Sequence, residues 1–144
     1  MDNNTIKDNG EVVKMVDEEY PNKGCWIVNT DVSSGGGIHY IVLYIKNNEC
    51  YIIDPLGKNN FRPYDNIMME KLQNYDVSFY PYKFQMDRSV HCGWFSLYVC
   101  KLIKYLKYPD INKLTKELVR IFGKTADVAD ELQLVKAFGV QKKM

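Results

Sequence analysis

The stretch HCGWFSLYVC, residues 91–100, places a thiol where an apolar helix is predicted to begin. The N-terminus of a helix presents unpaired N–H groups and a partial positive charge, which favour the thiolate form of a cysteine. Gly93 follows without a side chain, so a substrate can approach the Cys92 backbone N–H closely. Cys92 is therefore a candidate nucleophile, although a cysteine at a helix start, taken alone, is more typical of a small core residue.

A thiol nucleophile needs a base within hydrogen-bond reach and a third group that orients the base. The chain has two histidines. His91 directly precedes Cys92, and adjacent residues on a helix diverge by about 100°, so it is badly aimed to serve the thiol. His39 follows a glycine-rich loop and lies at the start of a predicted strand. It is the better candidate base, although a histidine beside a glycine-rich loop, taken alone, is more typical of a half-exposed turn residue.

The candidate orienting group is Asp54, which ends the next predicted strand. Asn47-Asn48 suits a two-residue type I′ hairpin turn, because Asn tolerates positive φ. Such a turn pairs residues whose numbers sum to about 95, so position 41 faces position 54. His39 then lies one diagonal step from Asp54 on the same face, within reach of its carboxylate. An Asp before a proline is also a common turn opener.

Gln85, seven residues before Cys92, is a candidate second donor for an oxyanion hole beside the Cys92 backbone N–H. On its own it is only a loop glutamine. The conjunction of Cys92, His39, Asp54 and Gln85 points to nucleophilic catalysis more strongly than any one of them.

The elements that position these residues predict an α+β fold with a small, mainly antiparallel sheet. The chain is expected to form one domain over residues 1–144, with residues 1–9 polar and flexible. Apolar spacing, turn residues and caps predict helices over 11–20, 63–74, 92–107, from Asp110 or Asn112 to Gly123, and from Thr125 to Gly139. They predict strands over 25–30, 38–46, 49–55 and 77–82.

Composition narrows the function classes. Nineteen basic and 18 acidic residues give a net charge of +1, so weak or no nucleic-acid binding is expected. No apolar run approaches a membrane span and no signal segment is recognisable, which predicts no membrane partner and a reducing compartment with free thiols. The four cysteines lack zinc spacing, and nucleotide, phosphate and zinc-protease motifs are missing, so neither metal nor cofactor is expected.

Four segments together carry a resemblance to a known family: CWIVNT, GGIHY, CYIIDPLG, and a glutamine seven residues before CG. In this order they resemble the adenovirus maturation proteases, the adenain family, with its C-x-IVNT, GGVHW and CYLFEPFG segments. They are more distantly similar to the proteases specific for SUMO and related ubiquitin-like proteins. The likeness covers residues 25–100, and it implies a papain-like fold with the nucleophile on the central helix.

The resemblance implies roles for the four candidates. Cys92 is the nucleophile, His39 the base and Asp54 its orienting group, while Gln85 and the Cys92 N–H form the oxyanion hole. It implies a cysteine endopeptidase that cleaves after Gly-Gly or Gly-X-Gly through a thioester. The expected partner is a viral capsid or core precursor, in the virion and the host-cell interior. High Lys, Asn, Tyr and Ile usage is typical of an AT-rich genome, such as that of a virophage or related DNA virus.

Several departures from the family limit the likeness. Tyr40 replaces the usual Trp, and Asp54 matches the SUMO-type enzymes where adenain has Glu. No cysteine lies between Cys50 and Cys92, where adenain bonds its activating peptide, so the need for such a peptide is left open. Two alternatives remain: a protease that removes a ubiquitin-like protein, and a catalytically silent relative that acts as a binding module.

Overall fold

The computed structural model describes residues 2–30, 39–57, 65–85, 92–126, 134 and 136–138, and for residues 65 and 92 it describes the backbone only. Within these ranges a five-stranded sheet is combined with helices, which confirms the predicted α+β class. The strands are β1 Val13–Met15, β2 Gly24–Asn29, β3 Tyr40–Lys46, β4 Glu49–Ile53 and β5 Asp76–Phe79. The helices are α1 Asn3–Asp8, α2 Asp65–Lys71, α3 Cys92–Tyr105 and α4 Ile111–Phe122; residues 134 and 136–138 are also helical.

The sheet is mixed, with the strands side by side in chain order from β1 to β5. The central pairs β2–β3 and β3–β4 are antiparallel, and the outer pairs β1–β2 and β4–β5 are parallel. The prediction of a mainly antiparallel sheet is therefore wrong for the outer strands. In the case of β4 and β5 the reason is the connection, because a segment containing α2 returns the chain to the same end of the sheet.

The β3–β4 hairpin has the register that the sequence predicts. Lys46 faces Glu49 and Val42 faces Ile53, so paired residues sum to 95. The turn between them differs in type. Asn47 has a φ of 57°, but Asn48 is not among the described residues with positive φ, and a type I′ turn needs positive φ at both positions. The register therefore depends on the length of the loop, which is two residues in the predicted type I′ turn and in the turn that is observed.

Strand β3 is buried on both faces and is the middle strand of the sheet. Its even-numbered residues Tyr40, Val42 and Tyr44 pack in the cluster that contains α3 and α4. Its odd-numbered residues Ile41 and Leu43 pack in a second cluster with Met68 and Leu72, from α2 and the turn after it. Because side chains alternate along a strand, the two clusters occupy opposite faces of the sheet. The continuous apolar run of β3 is thus the signature of a strand covered on both sides.

The N-terminal region departs most from the sequence analysis. The helix predicted over residues 11–20 is absent, and residues Val13–Met15 form β1 instead. Val13 and Met15 are buried while Lys14 between them is half-buried, which is the two-residue period of a strand. The preceding polar residues, for which no element is predicted, form α1, capped by the Asp2 carboxylate, which accepts from the Thr5 N–H at 2.9 Å.

An ion pair joins this N-terminal region to α3. Glu11 is 5% exposed, and its carboxylate oxygens lie 2.7 Å from Lys104 Nζ and 3.7 Å from Lys101 Nζ. Partial burial alone lowers the pKa of Lys104, but the hydrogen bond and charge of Glu11 outweigh this and raise it above its ordinary value. The buried carboxylate therefore attaches the C-terminal half of α3 to the strand edge.

The remaining helices follow their predicted caps. Asp110, rather than Asn112, caps α4 by accepting the Lys113 N–H at 2.8 Å, and Gly123 ends the helix with a φ of 72°. The helices predicted over 63–74 and 92–107 correspond to α2 and α3, and the strand predicted over 77–82 corresponds to β5. Of the helix predicted from Thr125 to Gly139, residues 134 and 136–138 are helical, and the others from 127 onward lie outside the described residues.

Candidate functional site

His39 and Asp54 lie together at one end of the β3–β4 hairpin. His39 immediately precedes β3, and Asp54 immediately follows β4, one residue beyond the last pair of the ladder. The Nε2 atom of His39 lies 2.8 Å from Oδ1 of Asp54. The same carboxylate oxygen accepts the Leu56 backbone N–H at 2.9 Å. The predicted contact across the hairpin is therefore confirmed, and the chain supplies a backbone donor that holds the carboxylate in place.

The two side chains differ in their exposure. The Asp54 side chain is fully buried, whereas 17% of the His39 side chain is exposed. An ionised carboxylate only accepts hydrogen bonds, so Asp54 favours the imidazole tautomer that carries its proton on Nε2. The other ring nitrogen, Nδ1, is then the basic one. A buried carboxylate behind a partly exposed imidazole is the arrangement that orients a general base and stabilises its protonated form.

The turn after Asp54 brings two distant segments together. The Gly57 N–H donates to the Asp54 carbonyl oxygen at 2.8 Å, closing a turn in which Gly57 has a φ of 75°. A Cβ at position 57 would lie 2.8 Å from Lys83 Cβ and 3.1 Å from Lys83 Cα. Glycine is therefore required both by its φ and by the close approach of the 83–85 segment.

Gln85 is held beside the same turn by main-chain hydrogen bonds. The Pro55 carbonyl oxygen accepts from the Phe84 N–H at 3.0 Å and from the Gln85 N–H at 2.8 Å. Gln85 is 2% exposed. Gln85 is thus hydrogen-bonded to Pro55, the residue that follows Asp54, although 31 positions separate Gln85 from Asp54 in the sequence.

Helix α3 runs along β3 in the same direction. Ser96, in the second turn of α3, donates its hydroxyl to the Tyr40 carbonyl oxygen at 3.3 Å, at the start of β3. Beyond the other end of α3, the Tyr108 carbonyl oxygen accepts from Lys46 Nζ at 2.6 Å, at the end of β3. Because these contacts follow the same order along both elements, the N-terminus of α3 lies at the end of the sheet where β3 begins.

The first residue of α3 is Cys92, as predicted. It precedes Ser96 by four residues, which is one helical turn and about 6 Å along the axis, on the same helix face. Ser96 contacts Tyr40, which directly follows His39. The Cys92 backbone, one turn before Ser96, therefore lies toward the end of the sheet that carries His39 and Asp54. The first turn of α3 contains no acidic residue to offset the positive end of its dipole. The Cys92 side chain lies outside the described part of the structure.

Two polar residues that the sequence does not single out, Asn3 and Asn29, brace this end of the sheet together with Tyr40. The Asn3 side-chain oxygen accepts from the Tyr40 hydroxyl at 2.9 Å and from the Asn29 side-chain amide at 3.3 Å. Asn29 ends β2 and Tyr40 begins β3, so Asn3 joins the two strand ends next to His39. No sequence signal identifies Asn3, whereas Ser96 is visible as a small polar residue four positions after Cys92, with apolar residues on both sides of it.

Among the described residues, no group of three or more His, Cys, Asp and Glu side chains could hold a metal ion. No helix in these parts of the chain combines the length and apolar character needed to cross a membrane.

Sequence comparison adds no relative to this picture. No protein-family model matches the chain, and no curated protein is significantly similar to it.

Proposed function

We propose that the chain is a cysteine endopeptidase with Cys92 as nucleophile, His39 as general base and Asp54 as the group that orients His39. The observation that carries the proposal is the 2.8 Å contact between His39 Nε2 and the buried Asp54 carboxylate. Its support comes from the position of Cys92, at the N-terminus of α3 and toward the same end of the sheet. An imidazole oriented by a carboxylate, near a thiol at a helix N-terminus, is the combination that generates a reactive thiolate.

The reaction follows from these roles. The Cys92 thiolate attacks the carbonyl carbon of the scissile peptide. The oxygen of the tetrahedral intermediate then accepts hydrogen bonds from the Cys92 backbone N–H and from the Gln85 side-chain amide. The intermediate collapses to a thioester as protonated His39 gives its proton to the leaving amine. His39 then takes a proton from water, which hydrolyses the thioester and releases the thiol.

The substrate class follows from the likeness to adenain-type enzymes. We propose a papain-like arrangement and cleavage after Gly-Gly or Gly-X-Gly in a viral capsid or core precursor. A protease for ubiquitin-like proteins is the second candidate, and the observation in its favour is that the third member is Asp54, the residue type of the SUMO-specific enzymes.

A peptide library with fixed glycines before the scissile bond tests the proposal, together with a ubiquitin-like fusion ending in Gly-Gly. Cleavage of glycine-containing peptides, lost in Cys92→Ala, supports the endopeptidase. Cleavage of the fusion with no cleavage of short peptides supports the second candidate. If no substrate is cut and Cys92 forms no covalent adduct with a Gly-Gly aldehyde (a thiohemiacetal) or a Gly-Gly vinyl sulfone (a thioether), the enzymatic proposal is wrong.

A further inference from the structure

Two thiols outside the proposed catalytic set lie in direct contact. Cys25 in β2 and Cys100 in α3 are separated by 75 positions, and their Sγ atoms are 2.8 Å apart. Both are free cysteines. A disulfide bond is about 2.05 Å long, so the sulfurs are less than ~1 Å from bonding distance. Neither group has a role in the reaction proposed above.

We propose that Cys25 and Cys100 form an oxidation site, at which a low-molecular-weight disulfide such as glutathione disulfide converts the two thiols into an intramolecular disulfide. The bond would covalently attach α3 to β2, eight residues after Cys92. This proposal is independent of the protease proposal, because it depends only on the two sulfur positions and on their different accessibility.

Accessibility sets the order of the two steps. Cys25 is partly exposed, whereas Cys100 is fully buried. Burial, followed by the hydrogen bond and charge of Cys25, raises the pKa of the Cys100 thiol well above its ordinary value. Cys100 alone is therefore a poor nucleophile toward a dissolved oxidant, and Cys25 is the residue that an oxidant meets first.

The exchange balances with glutathione disulfide as the oxidant. The Cys25 thiolate attacks one sulfur of glutathione disulfide, forming a mixed disulfide and releasing one glutathione thiolate, which takes up the proton lost by Cys25. Cys100 then attacks the Cys25 sulfur and expels the second glutathione, which takes up the Cys100 proton. The two cysteines are oxidised by two electrons and one glutathione disulfide is reduced to two glutathiones. The second step is intramolecular, so its proximity compensates for the raised pKa of Cys100.

The fold separates this pair from Cys50. Cys100 is in the core cluster on the α3 face of the sheet, with Cys25 packed against it, whereas Cys50 is in the cluster on the α2 face. Burial raises the pKa of Cys50 to about 12, which keeps it protonated and unreactive at neutral pH. Cys50 is therefore the matched control for the pair.

Consequences for stability follow from the position of the bond. A disulfide that links residues 75 positions apart restricts the unfolded chain strongly. Because the sulfurs already touch, the folded backbone needs little adjustment. We expect the melting temperature to rise on the order of 10 °C on oxidation and to return on reduction.

The test is incubation of the folded chain in a glutathione redox buffer, followed by acid quench, alkylation with iodoacetamide in denaturant and peptide mapping by mass spectrometry. We expect one cross-linked peptide pair that contains Cys25 and Cys100, two hydrogens lighter than the reduced peptides. The Cys50→Ala variant should retain the cross-link and the shift in melting temperature, and Cys25→Ala should lose both. Running the experiment in Cys92→Ala removes competition from that thiol and separates this proposal from the catalytic one.

Two results would overturn the proposal. One is alkylation of both Cys25 and Cys100 after oxidation, and the other is a mixed disulfide with glutathione that persists on Cys25. Cys25→Ala, at a partly exposed position, keeps the test valid even where a change at the buried Cys100 prevents folding.

Discussion

The Nε2 atom of His39 lies 2.8 Å from Oδ1 of Asp54, and the same oxygen accepts the Leu56 backbone N–H. The carboxylate is thus held from two directions, by the ring that precedes β3 and by the turn that follows β4. Such double support fixes the ring orientation without any contribution from a bound substrate.

Replacing Asp54 with Asn should remove the charge while it keeps the size of the side chain. The amide no longer selects the tautomer with the proton on Nε2, so kcat should fall by roughly 10²–10⁴ on a peptide substrate. Nitrogen NMR of the His39 ring should show a change in tautomer. Asp110→Asn is the matched control, because Asp110 caps α4 away from the site and Asn is an equally good cap. Equal activity in both variants would contradict the role of Asp54.

Gly57→Ala should destabilise the protein by more than its φ alone explains. The new Cβ would lie 2.8 Å from Lys83 Cβ, so the segment leading to Gln85 must shift. Gly10→Ala is the control, since its φ of 83° is also positive and its Cβ would meet nothing within 4 Å. We expect both variants to lose about 1 kcal/mol from backbone strain, and Gly57→Ala to lose about 1–3 kcal/mol more. Urea denaturation measures the difference, and equal losses would exclude the close approach.

Glu11→Gln should weaken the attachment of α3 to the N-terminal strand. Glu11 is buried, but Lys104 is 40% exposed, so solvent screens part of the interaction. We expect a loss of about 1–3 kcal/mol in the free energy of unfolding. The Glu117–Arg120 pair on the surface of α4 provides the comparison, and Glu117→Gln should change stability by less than about 0.5 kcal/mol. A loss in Glu11→Gln as small as this would show that the buried pair contributes little.

Alkaline pH should reduce stability in part through Cys50. Burial raises its pKa from 9.0 to about 12, so between these values the unfolded chain has lost the proton that the folded chain retains. The unfolded state then binds fewer protons, and the free energy of unfolding falls as pH rises, by about 1.4 kcal/mol per pH unit for one group. Denaturation of the wild type and of Cys50→Ala from pH 8 to 11 measures the slope. The variant should have the shallower slope; identical slopes would refute the assignment.

The sequence predicted the hairpin and its diagonal contact because both depend on local information. The loop of Asn47 and Asn48 sets the register, and the register then sets which side chains meet across β3 and β4. The start of α3 at Cys92 and the cap of α4 at Asp110 were predictable for the same reason, since caps and turn residues act on their immediate neighbours.

Elements that depend on distant partners were not predictable from the sequence. Val12, Val13 and Val16 fit a helical period, but β1 forms because Val13 and Met15 find partners in the parallel pairing with β2. Asn3 gave no signal in the sequence, since its role arises only when the end of β2 and the start of β3 lie side by side next to α1. The contact of Cys25 with Cys100 likewise requires α3 to cross β2, which the spacing of the cysteines does not encode.

The most direct test of the central claim is the rate of Cys92 alkylation by iodoacetamide from pH 5 to 9, located by mass spectrometry, in the wild type and in His39→Ala. Cys50 and Cys100 are internal controls, because burial should keep both unreactive in the folded chain. We predict rapid alkylation of Cys92 well below the ordinary thiol pKa of ~8.5, with the advantage lost in His39→Ala. Slow alkylation that rises only near pH 8.5 and is the same in both proteins would contradict the thiolate–imidazole pair.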